Sequence, residues 1–423
     1  MNFDRMRKVI LDKAVRGELV SQLAEDGVVA QIGNTPKEEL FQIPKSWKWC
    51  SLNMVAQVIA GQSPKGTALT TDSNDTEFHQ GKTFFGRQYI QNSGAYTNEP
   101  TKIAPKESIL LSVRAPVGAV NLTDRKICIG RGLFAIVPND QLLVKFLYFV
   151  LLTKARELQS KSTGTTFKAV TGKVVRDLYV PVPPLKEQAR IVDKVSDALE
   201  EIDRAEKAYE ELQTLAGVLR GQILQEAIQG KLVPQLAKEG WVEQIGSAPD
   251  EVPFEIPESW KWVQMNGICT LKSGVDMSPS VLLNEPVINA IPYITGGSQI
   301  GQSGELLITR WTSKATNISE EGDVLLICKG SGLGRTALNS YGSVHIARQI
   351  MAIRKTKEVI PQYLDLLLKW HWETLRNAAK GVIPGIARKD VLSLLVPLPP
   401  VTEQVRIVAK VEELMKQVDG LSA

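Results

Sequence analysis

The sequence predicts a mixed α/β (α+β) fold. Two similar globular domains are separated by two long antiparallel helices, in a pseudo-twofold, circularly arranged chain. Three observations carry this. Residues 184–230 form one long amphipathic run without a proline after Pro184. Residues 10–49 align without a gap onto 223–262, an offset of 213, with more than half of the positions identical. Residues 178–195 align onto 394–411, an offset of 216.

In the long run, apolar residues recur at Leu185, Val192, Val195, Leu199, Ile202, Ala205, Tyr209, Leu212, Ala216, Leu219, Ile223 and Ala227. Steps of three and four place them on one helical stripe. The proline pair before the run and Gly230 after it mark a helix start and stop. A helix of this length spans about 70 Å. A lone helix with a narrow stripe is unstable in water and needs a partner.

The repeats supply that partner from the chain itself. GELVSQLAEDG (17–27) matches GKLVPQLAKEG (230–240), and FQIPKSWKW (41–49) matches FEIPESWKW (254–262). LYVPVPPLKEQARIVDKV matches LLVPLPPVTEQVRIVAKV. The order along the chain is block tail, domain, complete block, domain, block head. Phe3, Met6, Ile10 and Ala14 align with Ala216, Leu219, Ile223 and Ala227. The C-terminal stripe, Val401, Val408, Val411, Leu414, Val418 and Leu421, supplies the other half. Placed end to end, the two terminal pieces rebuild a second rod. A search for repeats therefore fixes the architecture before any element is assigned.

Five segments follow: an N-terminal block tail and linker (1–49), a first domain (50–180), a central helix and linker (181–262), a second domain (263–396) and a C-terminal helix (397–423). The two domains match weakly. Each has a strand ending in a basic residue within a Gly/Ala loop, ILLSVRAPVGAV and VLLICKGSGLGRTAL. Each then has a short apolar strand, an amphipathic helix at about 141–159 or 361–378, and a Gly-containing loop before the prolines. A shared framework with unlike loops fits two copies of a reader with different specificities.

Charge is segregated although the net is only +4. Residues 50–180 carry 16 Lys+Arg against 9 Asp+Glu, and residues 263–396 carry 14 against 10. Residues 181–262 carry 9 against 16. Two basic domains flanking an acidic rod suggest polyanion contact by the domains and protein contact by the rod. No apolar run reaches the ~18 residues of a membrane span. MNFDRMRKVILDK mixes charge with apolar residues at helical spacing, unlike a signal peptide. Cys50, Cys128, Cys269 and Cys328 are scattered, so they are read as reduced thiols of a cytoplasmic protein.

The paired PPLKEQARIV and PPVTEQVRIV helix starts, the GKLVPQ-type turn, IPxSWKW before each domain and SVRAPVG within the first are similar to the specificity subunits of type I restriction–modification systems. The resemblance spans essentially the whole chain, including its circular order. It implies two target-recognition domains, each reading one half of a split double-stranded DNA sequence. It implies helices that set the spacer and dock two methyltransferase (modification) subunits, with restriction/translocase subunits joining through the complex. It implies no catalytic role for this subunit and no cofactor.

The residues themselves agree with that. No methyltransferase NPPF-type or DPPY-type motif occurs, and KGSGLGRT (329–336) lacks the spacing of a phosphate loop. His79, His345 and His371 have no metal-ligand spacing. Two readings from other classes stay open: a stand-alone bivalent DNA-binding regulator, and a DNA-modifying enzyme with an unrecognised site.

Arg and Lys hold phosphates or pair with guanine, and Thr contacts either. The candidate DNA contacts are Lys65, Arg87, Arg114, Arg131, Thr165, Thr166 and Lys168 in the first domain. In the second they are Lys272, Lys314, Lys329, Arg335, Arg348, Arg388 and Lys389. Arg114 and Lys329 occupy equivalent positions and rank first. Trp47, Trp49, Trp260 and Trp262 sit in shared blocks, which suits core anchors better than stacking platforms. Glu187, Gln188 and Arg190, and equally Glu403, Gln404 and Arg406, open the two helices. They either complement the helix dipole or make a contact at the end of the rod.

Overall fold

The computed structural model describes residues 2–33, 35, 36, 40–162, 169–301, 304–330, 332–379 and 384–422. The chain divides into two compact units, Met1–Ala208 and Tyr209–Ala423. The division falls inside the 44-residue helix Leu185–Ile228, so each unit owns part of it. The five sequence segments are thereby regrouped: each unit combines one domain, one linker and two helical pieces.

In the first unit the N-terminal helix Phe3–Arg16 begins at Asn2, whose Oδ1 accepts the Arg5 N–H at 2.9 Å. Gly17 ends it in the left-handed conformation, φ 74°, which favours glycine. A Cβ there would also collide with Pro44. Gly230 repeats this at φ 72° against Pro257. The IPxSWKW block therefore folds back over the glycine that stops each helix, and Trp47 and Trp260 beneath it are buried. The N-terminal helix runs antiparallel to the first half of the long helix. Arg7 meets Asp203 at 3.0 Å near one end, and Gln22 reaches Glu187 near the other.

Each domain contains the same three sheets in the same order. In the first, a four-stranded antiparallel sheet runs Ala56–Ala60, Leu133–Pro138, Ile109–Ser112, Val120–Leu122. A five-stranded sheet runs Leu69–Thr70, Tyr96–Thr97, Thr76–His79, Ile127–Ile129, Ile103–Ala104. Within it Thr76–His79 and Ile127–Ile129 pair in parallel. A two-stranded ribbon joins Lys48–Ser51 to Tyr179–Val182. In the second domain the four-stranded sheet is Cys269–Ser273, Ile350–Lys355, Val324–Ile327, Thr336–Leu338. The five-stranded sheet is Leu282–Leu283, Trp311–Thr312, Ile291–Ile294, Val344–Ile346, Ile318–Ser319, with Ile291–Ile294 and Val344–Ile346 parallel. The ribbon is Lys261–Gln264 with Leu395–Leu398.

The central strands ILLS and VLLI are buried along their whole length, as expected of strands covered on both faces. The helix Val144–Thr153 covers one face of the first domain, and Pro361–Trp370 that of the second. The sequence suggested single helices over 141–159 and 361–378. Each is broken instead, into Val144–Thr153 and Ala155–Ser160, and into Pro361–Trp370 and Trp372–Ala378. At the second break His371 stacks near Trp370 with centroids 4.2 Å apart, and its Nε2 bonds the Leu395 carbonyl at 2.9 Å. That bond ties the ring to the ribbon.

Candidate nucleic-acid interface

Four backbone hydrogen bonds gather four loops at one end of the first domain. Gly61 N–H donates to Leu133 O and Gln62 N–H to Ile129 O. Val113 N–H donates to Gly132 O and Val170 N–H to Val113 O. The second domain repeats all four: Gly274 to Ile350, Val275 to Ile346, Cys328 to Gln349, and Ile386 to Cys328. Gly61 and Gly274 permit this approach, because a Cβ at either would strike neighbouring backbone carbonyls.

The same geometry presents the same charges. Arg114 lies beside Val113 and is exposed, bridged to Ala169. Lys329 lies beside Cys328 and is exposed, bridged to Gly385. Arg131 and Arg348, both exposed, sit on the turns that receive the Val113 and Cys328 N–H groups. Each domain therefore offers two cations on adjoining loops: Arg114 with Arg131, and Lys329 with Arg348. The equivalence of Arg131 and Arg348 is not apparent in the linear repeat, because insertions have moved the offset to 217.

The remaining candidates are dispersed. Lys65, Lys314, Arg335 and Lys389 are exposed. Lys272 Nζ donates to the Ile318 carbonyl at 3.2 Å. Arg388 Nη2 donates to the Leu271 carbonyl at 2.8 Å. Arg87 is ion-paired with Asp203 of the long helix, with Glu206 3.9 Å away. That is the acidic site Arg7 also occupies, so Arg87 ties its domain to the helix. Thr165, Thr166 and Lys168 lie outside the described residues.

The helix-start residues form a clasp. Glu187 and Gln188 are buried, as are Glu403 and Gln404. Gln188 Oε1 accepts the Leu143 N–H at 2.8 Å, and Nε2 donates to the Gln141 and Pro183 carbonyls. Gln404 does the same with Ile360, Glu358 and Pro399. Glu187 and Glu403 accept from Gln22 and Gln235. Arg190 pairs with Asp26, and Arg406 Nε with Glu239 at 2.8 Å. The motif therefore locks helix, domain and linker together, and its Glu and Gln side chains are not presented at the surface.

A buried cluster in the first domain went unnoticed in the sequence. Arg125 Nε donates to Glu77 Oε2 at 2.6 Å, and His79 Nε2 lies 2.8 Å from Glu77 Oε1. Burial alone would raise the Glu77 pKa. The bonds from Arg125, the Ser93 N–H and His79 outweigh burial and hold it below the usual carboxylate value. Burial depresses His79. Burial pushes the Cys50 and Cys269 thiols up to about 12, which leaves them protonated and inert. Among the described residues no helix is long and apolar enough to cross a membrane.

Each of the two domains therefore carries a pair of exposed cations on adjoining loops and a helix-start clasp. The type I restriction modification DNA specificity domain matches residues 44–214 and again 257–421. The chain belongs to that family. It is 37% identical over 203 residues to the putative type I restriction enzyme MjaX specificity subunit of Methanocaldococcus jannaschii, a match spanning about half of each chain (47% of both). It is 26% identical over 382 residues to the MjaIX specificity subunit of the same organism, covering 86% of this chain and 85% of that one. The EcoKI specificity subunit of Escherichia coli is 24% identical over 320 residues, 69% of this chain and 63% of that one. Among solved structures, one from a study of complex assembly and conformational transition of the type I R-M system shares the fold with TM-score 0.70 at 21% identity. It covers 90% of this chain and 93% of that one. The HsdS subunit from Thermoanaerobacter tengcongensis superposes with TM-score 0.55 at 22% identity, over 91% and 93%.

Proposed function

We propose that this chain is the non-catalytic DNA sequence-recognition subunit of a cytoplasmic type I restriction–modification complex. Each domain reads one half of a bipartite double-stranded target. The chain docks two methyltransferase subunits, and restriction/translocase subunits join through the complex. The observation that carries this reading is the repeated loop cluster. The same four backbone bonds present a cation pair in each domain, while the surrounding side chains differ. Conserved geometry suits phosphate positioning, and divergent side chains suit two different half-sites. The length of the helix Leu185–Ile228 would set the unspecified spacer.

Methyl transfer distinguishes this from an enzymatic role. Purified chain is incubated with DNA and labelled methyl donor, alone and with type I modification subunits. The expected result is transfer only with those subunits. Transfer by the chain alone overturns the reading.

A further inference from the structure

The two loop clusters differ at one equivalent pair of positions. Ser63 follows Gly61 by two residues, and Asp276 follows Gly274 by two. Both face the backbone N–H of the equivalent arginine: Arg131 N–H donates to Ser63 Oγ at 3.4 Å, and Arg348 N–H to Asp276 Oδ1 at 3.2 Å. The side chains then diverge. Ser63 Oγ turns to Gln80 Oε1 at 2.7 Å, and Arg131 has no carboxylate partner among the described residues. Asp276 Oδ2 instead lies 2.8 Å from Arg348 Nε. One carboxylate thus accepts from the main chain and forms an ion pair with the guanidinium of one residue.

The pair is exposed, with 72% of the arginine and 49% of the aspartate side chain accessible. Surface ion pairs of this kind contribute little to stability, so a contribution to folding does not account for it. Its geometric effect is specific. With Asp276 Oδ2 ion-paired on its Nε side, Arg348 is biased to turn its Nη1/Nη2 end away from the carboxylate, and neither of those nitrogens has a hydrogen-bond partner among the described residues. That end is the two-donor edge with which arginine pairs to guanine O6 and N7.

We infer that Asp276 is a positioning residue for specificity. It orients Arg348 to read one base pair, a guanine, in the second half-site, whereas Arg131, with Ser63 behind it, serves as a mobile phosphate contact in the first. This rests on the recognition reading above.

The test uses the full chain expressed with its modification subunits, in wild-type, Asp276→Ser, Asp276→Asn and Arg348→Ala forms. The readout is the methylated motif, by methylation-sensitive sequencing. Asp276→Ser should relax the preference at one G·C position of the second half-site by about tenfold to a hundredfold. Arg348→Ala should relax that same position. Asp276→Asn, which keeps an acceptor, should retain more of it. The first half-site should be unchanged in all, which also reports that each variant is folded and assembled. An unaltered second half-site in Asp276→Ser, or relaxation at a position Arg348→Ala does not affect, overturns the inference. A wild-type protein giving no bipartite motif overturns the recognition reading itself.

Discussion

Trp260 Nε1 donates to Glu403 Oε2 at 2.9 Å, whereas the equivalent Trp47 Nε1 is buried without a hydrogen-bond partner among the described residues. Both indoles roof a helix-ending glycine, so their packing losses on substitution should be similar. Trp260→Phe additionally strands a buried carboxylate oxygen. It should destabilise its unit by about 1–3 kcal/mol more than Trp47→Phe does in the other. Hydrogen exchange, which reads the two units separately, checks this. Equal losses would remove any energetic role for the bond.

Glu403 also sets a pH dependence. Burial raises its pKa above the ordinary carboxylate value, against the opposing bonds from Trp260 and Gln235. A carboxyl raised on folding stabilises fully below its unfolded pKa, about 4.3, and that contribution is lost as pH rises through the folded value. The stability of wild type relative to Glu403→Gln should therefore fall as pH rises above the unfolded value of about 4.3. Glu77 and His79, both depressed, have the opposite sign. Their contributions are present above their unfolded values and are lost as pH falls, so the first unit should weaken on acidification. Unfolding followed by hydrogen exchange as a function of pH separates the two trends.

Gln188 and Gln404 each bridge a helix start to its domain through three hydrogen bonds. Substitution of either by alanine removes the side-chain partner of one backbone N–H and two carbonyls, one of them buried. Each should cost about 2–4 kcal/mol, with closely matching values, because the partners are equivalent. Denaturant midpoints of the two variants measure it. A large inequality would show that the clasps are alike in geometry only.

Arg114→Ala and Lys329→Ala should weaken DNA binding with little change in sequence preference. Each should reduce the slope of log affinity against log salt by about 0.9. Salt titrations on target and non-target duplexes distinguish this from base reading, which would alter the ratio between the two.

Much of the architecture was legible in the sequence, because the repeats preserve contacts rather than surface. Trp47 and Trp260, Gly17 and Gly230, and the Glu-Gln-x-Arg starts recur at fixed offsets since each is buried against the others. The sheets were less legible. Strands as short as Leu69–Thr70 or Ile318–Ser319 carry too few residues for a period. The breaks at Lys154 and His371 have no Gly or Pro to mark them. The loop cluster was half legible. Arg114 and Lys329 follow matching strands, but Arg131 and Arg348 pair only once the insertions are folded away. Arg87 read as a loop cation because Asp203 is distant in sequence. Asp276 carried no signal of its own, since its meaning lies in the arginine it faces.

The most direct test of two autonomous readers is to replace residues 50–180 with the recognition domain of another family member and sequence the methylated motif. The predicted result is one altered half-site, with the other half unchanged. Alteration of both halves, or of neither, would contradict the account.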